Sequence, residues 1–247
     1  MCRLSARVIE NRNDYQKQNP AEFLMSLLHH TTESDQHTGG KSLELLASLC
    51  NHTSFPYGER DTWDNSDFLL DLFSHVKQYE SNTGRSVLPV LLPVYRSLPA
   101  VRFDLIQEEK KQRWRTFLLD LCLQTALHQP QYIQQTVEQL MPDIEDYYDE
   151  YDDEEQSDFL LDLFSHVKQY ESNTGRSVLK ALLPVYRSLP AVWSIKLSER
   201  KVSLLLEVLK LQTQKKPVEL RDWSDEESEV RSFLQCLPYI SQLRFNV

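Results

Sequence analysis

Phe68, Leu69, Leu72, Phe73, Val76 and Tyr79 recur at three- and four-residue spacings with polar residues between them, the pattern of a helix with one apolar side. Ser66 or Asp67 is placed to cap its start. Asn82 and Gly84 are placed to end it, glycine being the residue that enters the left-handed region without strain. A second helix is expected over residues 86–98, with Val87, Leu88, Leu91, Leu92 and Tyr95 inward. Pro93 removes one backbone donor, which predicts a kink or a break, and Pro99 stops the helix. Two short helices with one apolar face each need neighbours to cover them.

The chain writes this unit twice. Residues 66–101 and 157–192 match at 34 of 36 positions, differing only where Pro89 and Val90 become Lys180 and Ala181. Packing requires far less identity than that, because solvent-type residues such as Lys77, Gln78 and Arg85 recur as Lys168, Gln169 and Arg176. A duplicated segment explains it. Looser copies of the phrase FLLDLF stand at residues 23–28, 117–122 and 204–209, so successive starts are 45, 49, 42 and 45 residues apart. A period of that length predicts an α-rich solenoid of helix pairs, each stacked on the next.

The C-terminal part changes period. Leu189, Val192, Ile195 and Leu197 give LxxVxxIxL, and Leu237, Ile240, Leu243 and Phe245 give LxxIxxLxF, with Val218 and Leu220 between them. Leu197 to Leu220 is 23 residues and Leu220 to Phe245 is 25, while residues 200–212 and 226–237 carry helical spacing. Short strands are therefore expected near 192–198, 217–222 and 240–246, alternating with helices as in a leucine-rich repeat.

The stretches TGRSVL, LPAVWSIKLSERK and SLLLEVLKLQTQKKPVELRDWSDEESEVRSFLQCLPYISQLRF resemble the leucine-rich-repeat region of the nucleotide-binding, leucine-rich-repeat receptor-like family expanded in fishes. The likeness covers about residues 41–101 and 157–247. It implies a recognition or regulatory module that acts by protein contact, with innate-immune associations. Two positions depart from the pattern: Arg200 stands near the place of the usual asparagine, and Asp104 where the first copy should put a buried strand residue. A plain helix-pair solenoid therefore suits the first half better.

Composition narrows the partners. The 247 residues are 40% hydrophobic and 26% charged, and the net charge is −10. Residues 143–158 hold ten Asp or Glu and no Lys or Arg, which leaves 27 acidic against 27 basic residues elsewhere. With no basic stripe, nothing points to nucleic acid. The longest apolar run, VLPVLLPV at 87–94, is far short of the ~20 residues that span a bilayer, so no membrane partner is expected. Cys2, Cys50, Cys122 and Cys236 lie far apart without ligand spacing, and the first residues lack a secretory apolar segment, which suits a reducing cytoplasmic setting. The expected organisation is a flexible segment over 1–20, a first array over 21–142, an acidic linker over 143–156, and a second array over 157–247.

Candidate chemistry is sparse. DQHTGGKSLELL at 35–46 approaches a phosphate loop, with Lys41 and Ser42 in place, but Asp35 stands where the first glycine belongs. A nucleotide-dependent switch using this degenerate loop is the alternative reading. The other is that Thr38–Leu43 repeats the interhelical turn found at Thr83–Val87. A receptor fragment without independent function is a further alternative. His29, His30, Asp35 and His37 are metal-ligand types without ligand spacing, expected in a surface loop, and His75 and His166 are expected at a helix surface or packing edge. The acidic tract around Asp149, Glu150, Tyr151, Asp152 and Asp153 is either a solvated loop or a dock for a basic partner, and lacks the glycine and spacing of a calcium loop. No catalytic residue, metal or cofactor is assigned. The leading expectation is a non-enzymatic protein-binding surface, with Trp193, Lys196, Arg221, Trp223 and Arg244 as its outward-alternating aromatic or basic contacts.

Overall fold

A computed structural model describes residues 20–52, 64–96, 108–140, 152–221 and 227–246. The chain divides into two compact units, Met1–Arg85 and Ser86–Val247, so the division falls between the two helices of the first copy. Among the described residues the architecture is helix-rich, with one small parallel sheet.

The first unit contains α1 (Pro20–Thr38), α2 (Ser42–His52) and α3 (Asp64–Thr83), with α1 packed on both others. Of the predicted stripe, Leu72, Phe73, Val76 and Tyr79 are buried, and Leu28, Leu43, Leu46 and Leu70 are buried with them. Helix α1 runs straight through His29, His30 and Asp35, where a loop was expected. Both histidines sit on its exposed side within 4 Å of Glu33, an ordinary helical spacing for ion pairs.

The second unit contains α4 (Leu88–Arg96), α5 (Glu108–His128), a 3-10 turn over Pro130–Tyr132, α6 (Ile133–Leu140), α7 (Asp152–Thr174) and α8 (Leu179–Ser188). There follow β1 (Trp193–Lys196), α9 (Glu199–Lys210), β2 (Lys216–Arg221), α10 (Glu227–Leu234), a 3-10 turn over Leu237–Tyr239 and β3 (Ile240–Asn246). Helices α5, α7, α9 and α10 pack each on the next, and α6 packs on α8. The expected break at Pro93 does not occur, and α8 likewise continues through Pro184. In α8 the last turn keeps a further bond, the Ser188 hydroxyl donating to the carbonyls of Pro184 and Val185.

Ser66 and Asp67, expected to cap a helix, lie inside α3, which begins at Asp64, and Ser157, the counterpart of Ser66, lies inside α7, which begins at Asp152. The last residues of the acidic tract are thus helical, at the end of a helix where the macrodipole favours negative charge. Asp149, Glu150 and Tyr151 lie outside the described residues. The buried Ser157 hydroxyl instead accepts the Ser194 backbone N–H at 2.9 Å and ties α7 to β1.

The three strands pair in parallel in chain order, so each strand-helix step advances the sheet by one strand. The register sets Trp193 beside Val218 and Val218 beside Leu243, then Ile195 beside Leu220 and Leu220 beside Phe245. Every step is therefore 25 residues, and Ile195, not Leu197, is the structural counterpart of Leu220. Trp193, Ile195, Val218 and Leu220 point into the core with Val202, Leu205, Val208 and Leu209 of α9.

Candidate interaction surface

One interhelical turn recurs with the same hydrogen bonds at three places. Gly39, Gly84 and Gly175 all hold φ between 63° and 70°, where only glycine is unstrained. In each, the glycine N–H donates to the carbonyl four residues back, of Asp35, Glu80 and Glu171. The preceding Thr38, Thr83 and Thr174 donate their hydroxyls to Ser34, Tyr79 and Tyr170 and accept the next amide at 3.2–3.3 Å. In two of the copies an acidic side chain then caps the following helix. Asp35 accepts the N–H groups of Ser42 and Leu43 at 2.9 and 2.8 Å, and Glu171 accepts those of Val178 and Leu179 at 2.5 and 2.7 Å.

This geometry bears on the phosphate-loop alternative. The Asp35 carboxylate, 6% exposed, occupies the amide donors at the start of α2 that a phosphate would need, and like charge repels a phosphate there. Lys41 is exposed. The stretch 35–43 is built as the interhelical turn. In the same unit the Arg85 Nη1 donates to the Tyr79 hydroxyl at 3.1 Å and reaches the Gly40 carbonyl and Glu44, linking one turn to the next. The Tyr79 hydroxyl, ahead of Glu44, raises the guanidinium above its usual range.

The face of the sheet opposite the core carries charge. Lys196 and Arg244 are exposed, and Arg221 Nε donates to Glu219 at 3.2 Å with both side chains under 20% exposed. Lys196 pairs in register with Arg221, and Glu219 with Arg244, so three cations and one carboxylate share adjacent positions on three strands. Arg244 also donates to Gln242 at 3.2 Å. Trp193 does not belong to this face: it is fully buried, because it stands two residues before the inward Ile195 and shares its side of the strand, and α7 lies against β1. Trp223 lies outside the described residues.

A second polar row, which sequence reasoning missed, crosses the helices. Arg115 of α5 donates to Asp162 of α7 at 2.8 Å, and Arg200 of α9 approaches the same carboxylate at 3.7 Å. His166 meets Asp120 at 3.0 Å, so it does sit at a packing edge, and Lys201 meets Asp158 at 2.7 Å. The signal was the aspartate of FLLDLF, repeated at 120 and 162. A cleft of about 300 Å³ opens here, lined by Arg115, Asp158, Asp162, Ser198, Arg200 and Lys201. Each cation on its wall already faces a carboxylate, so the row sets the stagger of neighbouring helices, at about 0–1 kcal/mol per half-exposed pair.

Several titratable groups among the described residues are buried. Burial pushes the Cys122 thiol up to about 12 and the Cys236 thiol up to about 11, which removes the thiolate a nucleophile needs. Burial also raises Tyr186 well above its ordinary value, its hydroxyl donating to the Leu160 carbonyl at 3.3 Å. Lys216 is lowered by burial and donates to the carbonyls of Ser188 and Pro190. Among the described residues no group of His, Cys, Asp or Glu is placed to hold a metal ion, and no helix is long and apolar enough to cross a membrane. Comparison with protein-family models, with curated proteins and with solved structures gave no match.

Proposed function

We propose that this chain is a non-enzymatic protein–protein interaction module of stacked leucine-rich-repeat-like and helix-pair units. Its setting in this reading is the cytoplasm, and the family resemblance makes innate-immune recognition or regulation its context. The observation that carries the proposal is the parallel ladder of three strands in chain order, stepping by 25 residues, with one face in the core and the other lined by Lys196, Arg221, Glu219 and Arg244. Repetition lays equivalent side chains side by side, which builds an extended contact surface without any catalytic geometry.

A photo-crosslinking residue introduced at position 244, and separately at the exposed helical position 207, tests this in cells. The expected result is one protein captured from position 244 and not from 207, with Arg244→Glu weakening its binding about fivefold or more. Equal capture from both positions, or binding indifferent to Arg244→Glu, overturns the assignment of the strand face.

A further inference from the structure

The repeated segment carries a tyrosine and an arginine on either side of its turn, and in the first unit the structure shows what they hold. The Tyr79 hydroxyl donates to the Glu44 carboxylate at 3.2 Å and accepts from Arg85 Nη1 at 3.1 Å. The same Nη1 lies 3.4 Å from the Gly40 carbonyl and 3.5 Å from Glu44. Tyrosine and arginine thus hold the start of a helix by two acceptors, the carbonyl of the turn before α2 and a glutamate in its first turn. With this contact in place Tyr79 is only 9% exposed.

The turn after α7 repeats the frame. Tyr170 and Arg176 are the counterparts of Tyr79 and Arg85, Gly84 and Gly175 hold φ of 70° and 69°, and Thr83 and Thr174 donate to the carbonyls of Tyr79 and Tyr170 at 2.7 and 2.8 Å. Yet Tyr170 is half-buried and Arg176 exposed, and neither side chain has a hydrogen-bond or ion-pair partner among the described residues. We propose that Tyr170 and Arg176 form a docking site for the start of a helix of a partner protein, one that offers a turn carbonyl and, four residues on, a glutamate. The first unit supplies the chemistry of the occupant, because the same two side chains on the same turn suit the same two acceptors. It also argues against a second molecule of this chain as the source, since Gly40 and Glu44 are already held by Tyr79 and Arg85. The strand face takes no part in this site, so either assignment can fail without the other.

The probe is the chain's own segment 38–52, made as a peptide and held helical by a staple clear of Gly40 and Glu44. Titrated into the full chain up to about 5 mM, it is expected to shift the backbone amide resonances of Gly175 and Arg176 saturably, with a dissociation constant of about 1 mM or below. Glu44→Gln in the peptide is expected to weaken binding about fivefold, Arg176→Gln in the chain about fivefold, and Tyr170→Phe about twofold. Amide resonances unchanged elsewhere in the chain verify that these variants keep the fold. No saturable shift, or a Glu44→Gln peptide that binds as well as the original, overturns the proposal. Shifts of the same two amides when the chain alone is concentrated would make a second molecule the occupant, which overturns it too.

Discussion

Replacing Trp193 by alanine is expected to lower the unfolding free energy of the second unit by about 3–5 kcal/mol, the usual cost of deleting a large buried aromatic side chain. Trp193 is fully buried, with β2 beside it in register through Val218 and α7 lying against its strand. The gap left behind has rigid walls on both sides, so it closes poorly. Urea unfolding followed by circular dichroism measures the change. The exposed Arg244, changed to alanine, is expected to move the same transition by no more than about 0.5 kcal/mol. A loss under about 1 kcal/mol for Trp193→Ala would mean that this side chain does not join the sheet to the helices.

Phe164→Ala is the second large effect, again about 3–5 kcal/mol. Phe164 is 1% exposed and meets Tyr186 edge-on at 5.8 Å, so it holds the first helix of the copy against the second. Part of the loss belongs to the ring pair. A double-mutant cycle with Tyr186→Leu is expected to give a coupling of about 0.5–1.5 kcal/mol, as edge-to-face pairs do. Additive losses would show that the two helices are held by area alone.

Much of this was legible in the sequence because it is local. The stripe of FLLDLF, the left-handed glycine after each first helix and the alternation of the three strands follow from periods of 3.6 and 2, and the elements lie within a few residues of their expected bounds. The turn at Thr38–Ser42 could be read from its likeness to Thr83–Val87, and Asp35 proved to cap a helix from the glycine position it displaced. What failed depends on neighbours. Ser66 or Asp67 was read as a cap because nothing local shows that α3 starts at Asp64, or that its copy α7 starts at Asp152, in a run of acids that the helix macrodipole favours at that end. Trp193 is a different case: the period of two sets it on the side of the inward Ile195, so its burial was legible locally and was missed. The 23-residue step ended at Leu197, whereas register, a property of pairing, chose Ile195. The side-chain contacts of Asp120 and Asp162 join residues more than forty positions apart, which no window along the chain can see.

The central claim is that each unit is apolar on one side and stable only against its neighbours. The most direct test is urea unfolding of residues 157–192 made as an isolated peptide, beside residues 86–247. The peptide has 36 residues, under the roughly 40 at which a chain buries enough surface to fold unaided. The expected result is a weakly helical peptide with no cooperative transition and a single cooperative transition for residues 86–247. A peptide that unfolds cooperatively by itself would contradict the account.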